Sequence, residues 1–405
     1  MYRLRCMGCG SEWSDDGLIT ACPNAHAPAL LRTVYETAHF QPDPDAEGIA
    51  RYQKWLPVRA GGLPPCPRTA VFQSAALCEA LQAPNLWLAF NGFWPQRGAL
   101  LPTATFKDLE SAAVLARFPA TNRTLVAASA GNTAAALARA ASDAGVHAVI
   151  VVPEQALSKL RFSRPLNSCV RVFCVPGDAS YDDAIACAKS IASANPRHAF
   201  EGGAANVARR DGIGTTMLAA AEQLGRLPGY FAAAIGSGAG AIAAHEAALR
   251  LREDGRFGDA LPKLLLVQNA PSAPVYESWK RRSGTLISYG DRPEALRARL
   301  RSLSASVLST QTPPYAIRGG LYDVLTESRG DVCVADNAAA VAARALFEHL
   351  EGVTLEPAAA VALAGLQGAL DRGEIPRAET IVLHITGGGA APNRTYAPDV
   401  VEAAA

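Results

Sequence analysis

The feature that most constrains this fold is a recurring unit. A short, almost wholly apolar run leads into a turn of glycine and small polar residues, and then into an alanine-rich stretch of helical character. "TLVAAS" (124–129) runs into "AGNT" and then "AAALARAASDAG" (134–145), with Gly145 as the stop signal. "VHAVIVVP" (146–153), with a helix expected after it, and "VRVFCVPG" (170–177) are further runs of this kind, and "SYDDAIACAKSIASAN" (180–195) reads as a helix. Downstream, "GYFAAAIGSGAGAIAAHEAALRLRED" (229–254) reads as strand, glycine loop and helix, while "PKLLLVQN" (262–269) and "ETIVLHITGGG" (379–389) supply more strands. Strands that are apolar on both faces and alternate with helices predict parallel sheets covered on both sides, an α/β chain with two doubly wound sheets. One block lies near 120–225 and the other runs from about 226 onward.

The remainder divides by composition. Residues 1–35 read as a separate small unit. Residues 36–66 are rich in proline, glycine and charge and read as an extended connection with a short helix near Gly48–Trp55. The expected organisation is an N-terminal zinc-ribbon-like segment (1–35), a large domain built from 36–119 and 226–405, and a small α/β domain (120–225).

A net charge of +1, with 19% charged residues, supplies no bulk attraction for nucleic acid or an anionic membrane. The apolar runs are strand-sized, well short of the roughly 20 residues of a bilayer span. The start, "MYRLRCMGCG", lacks the apolar core of a signal peptide, and nine scattered cysteines fit a reducing compartment. The expectation is a cytoplasmic protein with no nucleic-acid or membrane partner.

In doubly wound sheets ligands gather beyond the carboxyl ends of the strands, so the loops there carry the functional reading. "GSGAG" (Gly236, Ser237, Gly238, Ala239, Gly240) precedes a helix, where backbone N–H groups and the helix dipole suit a phosphate. Gly236, Gly238 and Ala241 also satisfy a loose dinucleotide pattern. That reading wants an acid at the end of the next strand, where Gln268 and Asn269 stand, and a purely structural turn is the third option. "SAGNT" (Ser129, Ala130, Gly131, Asn132, Thr133) suits a substrate carboxylate, or it is simply a helix-capping cluster. Thr386 precedes three glycines and offers a hydroxyl to a neutral ring nitrogen. Lys107, in "TATFKDLESAAVLARF" (103–118), stands on the first turn of an amphipathic helix, where a cation is mildly unfavourable. A phosphate cup, a carboxylate cradle, a hydroxyl and a lysine together suit pyridoxal 5'-phosphate, whose aldehyde would form a Schiff base with Lys107.

These residues resemble the fold-type-II pyridoxal-phosphate enzymes, the tryptophan synthase β-like group that includes threonine synthase, serine/threonine dehydratases and cysteine synthase. "TATFKD" resembles their lysine motif, "ASAGNTAAAL" their asparagine loop and "GSGAG" their phosphate loop, with the likeness spanning roughly residues 60 to 390. It implies Lys107 as the Schiff-base lysine, Asn132 near the cofactor's phenolic oxygen, Gly236 to Gly240 around its phosphate, and Thr386 near its pyridine nitrogen. The stretches "LLRTVY", "WLPV", "EGGAANVARRDGIGTTML", "PPYAIRGGLYDVL" and "ITGGG" resemble more closely the cysteate synthases, which replace the phosphate of O-phosphoserine with sulfite. The chain departs from the wider pattern at Ala104, at Thr105 and at Ala134, the first and last where relatives carry glycine.

The resemblance implies a β-replacement in which the freed lysine removes the α-proton, phosphate leaves the β-carbon, and an anionic nucleophile adds there. A homodimer is also expected. Threonine synthase, or another β-replacement or elimination enzyme, is the alternative within the family; a nucleotide-binding regulatory protein is the alternative outside it. Two anions in one pocket call for cations, and Arg209, Arg210, Lys159, Arg161 and Arg318 are the candidates.

Cys6, Cys9, Cys22 and His26 give the spacing C-x2-C-x12-C-x3-H, suited to a closed zinc site or to four unligated side chains. The other cysteines, with His147 and His384, read as core residues. Tyr181, Asp182 and Asp183 read as a helix first turn.

Overall fold

A computed structural model describes residues 1–402 of the chain apart from 60–61, 120–121, 130, 291 and 391–393. Its larger sheet has six strands in the order Asp331–Ala335, Lys263–Asn269, Tyr230–Ala234, Ile381–Ile385, Leu86–Phe90 and Ala70–Phe72. All neighbours are parallel except the last pair. The second sheet has five parallel strands in the order His198–Phe200, Thr124–Ala128, Ala148–Pro153, Val170–Val175 and Val400–Glu402.

The unbroken apolar runs follow from this layering. All five residues of Ile381–Ile385 are buried, as are all but the first of Lys263–Asn269, because helices cover both faces. One covering layer holds helix Pro357–Asp371 and the other holds helices Val207–Leu224 and Ala239–Asp254. The stretch after Ala148–Pro153, expected as a helix, forms only the 3₁₀ segment Glu154–Lys159.

Alanine and glycine set how closely the helices approach. Helix Lys107–Arg117 lies against helix Val207–Leu224 so tightly that a β-carbon on Gly212 would come within 2.4 Å of the Leu109 carbonyl oxygen. That contact brings the helix starting at Lys107 alongside the one carrying Arg209.

The N-terminal unit is a three-stranded antiparallel sheet of Glu12–Ser14, Tyr2–Cys6 and Leu31–Tyr35. It docks on helix Val207–Leu224 through an apolar cluster of Leu4, Cys6, Leu31 and Val207. Thr33 and Tyr35 both donate to the buried Asp211 carboxylate, each at 2.7 Å. Arg117 reaches into this unit with a forked pair of bonds to Asp15, both 2.7 Å, while its side chain and that of Asp15 are only 1% and 2% exposed. No helix among the described residues is long and apolar enough to cross a membrane.

Removing one partner of such a buried pair strands the other's charge. Asp15→Ala is expected to cost about 3–5 kcal/mol in denaturant unfolding, whereas Asp43→Ala, at a more exposed site, should cost under about 1 kcal/mol.

Candidate active site

Backbone crossings at the end of strand Ile381–Ile385 fix the position of Lys107. The Phe106 amide donates to the Thr386 carbonyl (3.0 Å), and the Gly388 amide donates to the Ala104 carbonyl (3.1 Å). Ala104 takes a left-handed φ of 52°, which explains why glycine suits this position and leaves the alanine strained. The glycines after Thr386 permit the close weave. Gly389 sits at φ 73°, where a β-carbon would fall 1.9 Å from the Phe93 carbonyl oxygen. Asp108, the next residue after Lys107, ties the approach down by accepting from the Thr103 amide (2.8 Å) and hydroxyl (2.9 Å). Burial still pushes its carboxyl up to about 7.

A cavity of about 1050 Å³, including space open to solvent, lies between the two sheets' strand ends. It is lined by Lys107, Ser129, Gly131, Asn132, Thr133, the whole run Gly236, Ser237, Gly238, Ala239 and Gly240, and Thr386. Ala130 lies outside the described residues. Four segments distant in sequence therefore meet at one site.

Each contributes a distinct group. In helix Ala239–Asp254 the Ile242 amide donates to the Gly238 carbonyl, so the amides before it fall outside the helix's own ladder, at the end that lines the cavity. Helix Asn132–Ala144 repeats the arrangement: its Ala135 amide donates to Gly131 (3.2 Å), leaving the Asn132 and Thr133 amides outside the ladder. Ser129 serves partly as a cap, accepting from the Gly131 and Ala134 amides (3.2 and 3.0 Å), which leaves its own proton to donate. The Thr133 hydroxyl is already committed, donating to Glu110 at 2.8 Å. No described residue bonds the Asn132 amide group or the Thr386 hydroxyl.

The electrostatics turn on Glu110, which the sequence reading passed over. Lys107 Nζ donates to Glu110 Oε2 (3.0 Å), Arg209 donates to Glu110 Oε1 (3.1 Å), and Arg209 also forks onto Glu201. Two cations thus face two carboxylates in a buried quartet. Burial pulls the Lys107 amine below the ordinary lysine range; Glu110 opposes that shift and Arg209 reinforces it. Burial works against the Glu110 carboxylate too, but Arg209 and Lys107 outweigh it and hold Glu110 below its usual range. The amine is thereby closer to its nucleophilic neutral form than a surface lysine would be.

His384 is the second omission. It is buried and hydrogen-bonded, as expected of a core histidine, and it also lines the cavity together with Phe106 and Tyr181. The Asn91 amide donates to its Nε2 (2.9 Å), so the proton sits on Nδ1, which has no partner among the described residues. Burial, with the Lys107 charge nearby, pushes the ring's pKa down to about 3, so it is neutral. Both omissions were findable. Glu110 lies three residues after Lys107 on a helix, and His384 lies two before Thr386 at a strand end, so each shares a face with a residue already singled out. Tyr181 carried no such signal.

The anion candidates separate cleanly. Arg209 lines the cavity but is neutralised; Arg210 is wholly buried on Glu246 and on the carbonyls of Leu31 and Ala204. Arg161 donates to the carbonyls of Leu157 and Leu160, and the exposed Arg318 pairs with Asp323. Lys159 lies over Gly131, where a β-carbon would come within 3.2 Å of its Cδ. It donates to Ser306 (2.8 Å) and has no ion-pair partner among the described residues.

The family described as pyridoxal-phosphate dependent enzyme matches residues 79–387. The chain is 44% identical over 393 residues to a cysteate synthase of Methanosphaerula palustris, covering 96% of this chain and 90% of that protein. The chain belongs to the cysteate synthase family. A second member, from Methanosarcina barkeri, is 39% identical over 96% of this chain and 92% of its own length. Among solved structures, maize serine racemase has a TM-score of 0.60 at 18% identity, covering 80% of this chain and 88% of that one. Isoform 2 of threonine deaminase from Solanum lycopersicum has a TM-score of 0.58 at 15% identity, covering 80% and 85%. These likenesses establish the fold, a fold-type-II α/β enzyme, and the family establishes pyridoxal phosphate as its cofactor.

The residues present fit that cofactor. Unladdered amides at Gly238–Ala241 suit its phosphate, the unengaged Asn132 and Thr386 groups suit its ring oxygen and nitrogen, and the Lys107 amine suits its aldehyde. If Glu110 raises the Lys107 pKa, removing its charge must lower it. Glu110→Gln is expected to move the pH midpoint of aldehyde capture by Lys107 downward, read by borohydride trapping and mass spectrometry across a pH series. An upward shift would contradict the charge assignment.

Proposed function

We propose that this chain replaces the phosphate of O-phospho-L-serine with sulfite, giving L-cysteate and inorganic phosphate. The observation that carries the reading is a single cavity that joins a partly desolvated lysine amine and two helix N-termini with amides outside their ladders, with Lys159 beside its lining residue Gly131 and without an ion-pair partner among the described residues. Membership of the cysteate synthase family supports it.

When bound, pyridoxal phosphate supplies an electron sink that makes the α-proton of an attached amino acid removable. The chain does the rest. The amides of Asn132 and Thr133, with the Ser129 hydroxyl proton, hold the substrate carboxylate at the positive end of their helix. Lys107 Nζ takes the α-proton, with Glu110 fixing the amine's direction and Arg209 limiting how strongly Glu110 holds that proton. The β-carbon–oxygen bond breaks with its electron pair leaving on phosphate. The sulfur lone pair of sulfite then forms the β-carbon–sulfur bond, and Lys107 returns the proton to the α-carbon. Lys159 is the cation for the anion at the β-position, a phosphate on departure and a sulfite on arrival. Thr386, a hydroxyl where a carboxylate would favour a protonated ring nitrogen, suits elimination and replacement over transamination. Nine cysteines with no disulfide among them fit a reducing, cytoplasmic setting.

The test mixes the purified holoenzyme with O-phosphoserine and sulfite and measures phosphate release and cysteate by mass spectrometry. Phosphate release that a thiol or water completes, but sulfite does not, would refute the sulfite reading; turnover of O-phosphohomoserine instead would assign a threonine synthase activity. Lys107→Ala should lose turnover by roughly 10³-fold or more and yield no trapped adduct. Lys159→Met should raise the KM for O-phosphoserine on the order of 10-fold, the loss of one charge-assisted hydrogen bond, with the cofactor still attached.

A further inference from the structure

The four side chains Cys6, Cys9, Cys22 and His26 take no part in the chemistry above, yet the fold gathers them. Their donor atoms all lie within 4.8 Å of one another. The Cys9 and Cys22 sulfurs are 3.7 Å apart, and the Cys6 sulfur is 3.4 Å from His26 Nε2. A tetrahedron with zinc–sulfur bonds of about 2.3 Å and a zinc–nitrogen bond of about 2.1 Å has sulfur–sulfur edges near 3.8 Å and sulfur–nitrogen edges near 3.6 Å. Those two separations match its edges, whereas a disulfide would need sulfurs at about 2.05 Å.

The surroundings are those of thiolate and imidazole ligands. The Gly8 amide donates to the Cys6 sulfur (3.3 Å) and the Asn24 amide to the Cys22 sulfur (3.4 Å), each from two residues on. The Asn24 side-chain amide faces the Cys9 sulfur at 3.5 Å. His26 Nδ1 lies 2.6 Å from the Ala27 carbonyl oxygen, which fixes the ring proton there and leaves the Nε2 lone pair turned toward the cysteines. Three sulfurs and one imidazole nitrogen fill a tetrahedron with no position left for water, the signature of a structural ion.

From these distances we propose that the N-terminal unit binds one zinc ion, and that the ion holds the irregular segment between Ser14 and Ala29 against the body of the enzyme. That segment has no helix or strand of its own. It nevertheless supplies Asp15 and the Ile19 carbonyl to the buried Arg117, and Thr20 packs on Gly202, next to Glu201 of the buried quartet. A loop of this length carries a large conformational entropy, and Cys22 and His26 within it are joined through the ion to Cys6, at the end of strand Tyr2–Cys6, and to Cys9 in the turn that follows. The ion thus acts at a distance from the cavity, through the packing behind Glu201.

The test uses the full-length holoenzyme, expressed with added zinc, passed over a chelating resin and analysed by inductively coupled plasma mass spectrometry. About one zinc per chain is expected, and protein grown in cobalt should show the thiolate charge-transfer and strong visible bands of a tetrahedral site. The Cys9→Ser/Cys22→Ser double variant should lose the metal, while Cys169→Ser, remote from the cluster, should keep it. Stripping the metal should lower the thermal midpoint while the adduct at Lys107 remains. Metal below about a tenth of an equivalent in protein that carries its cofactor, iron in place of zinc, or full retention in the double variant would each overturn the proposal. Should the double variant fail to fold, the wild-type stoichiometry and the cobalt spectrum decide.

Discussion

The structure is organised around a buried amine that must be kept both charge-balanced and available. Lys107 pairs with Glu110 at 3.0 Å, but Glu110 is shared with Arg209, and Arg209 with Glu201. A lysine facing one unshared carboxylate in a low-dielectric interior would be locked in its protonated form; a lysine with no carboxylate would be poorly held. Sharing the carboxylate with a permanently charged guanidinium satisfies the burial requirement of all four groups without fixing the proton on the amine. The quartet also joins two helices to the segment after the smaller sheet's edge strand.

The backbone supplies the second requirement, placement. Thr105 pairs with Gly387, Leu355 with Gly388 and Phe93 with Gly389, so three separate segments are threaded onto the loop after strand Ile381–Ile385. These approaches are too close for side chains, and the glycines there make them possible. Lys107 and Thr386 are thereby carried on hydrogen-bonded neighbours. Opposite them, two helix N-termini present amides outside their own ladders, an arrangement suited to anions. The N-terminal unit bears on this arrangement from behind, through Arg117, Asp211 and Gly202.

Much of this was legible in the sequence because it is encoded locally. Apolar runs buried on both faces, Gly145 at a helix end, and the loops at 129–133, 236–240 and 386–389 announce themselves through residue type and order. Ala104 was noticed as a departure, but only its left-handed φ gives the departure a physical meaning. Glu110 was passed over, and His384 was read as a core residue and no more, because an acid on an amphipathic helix and a histidine in an apolar strand are ordinary features. Their significance comes from residues about a hundred or more positions away, Arg209 for the one and Asn91 for the other. The arginines show the same gap: adjacent in sequence, Arg209 and Arg210 turn to different partners, one at the cavity and the other on Glu246.

What the sequence determined by itself was the α/β architecture, the family and the set of loops that line the cavity, because periodicity, glycine and short polar motifs act over a few residues. Which cation lacks an ion-pair partner among the described residues, which hydroxyl is already spoken for and in which direction the lysine's proton affinity moves were decided only by tertiary structure. Charge compensation and desolvation depend on who lies within a few ångströms, and the chain brings those neighbours together from positions that no local pattern connects.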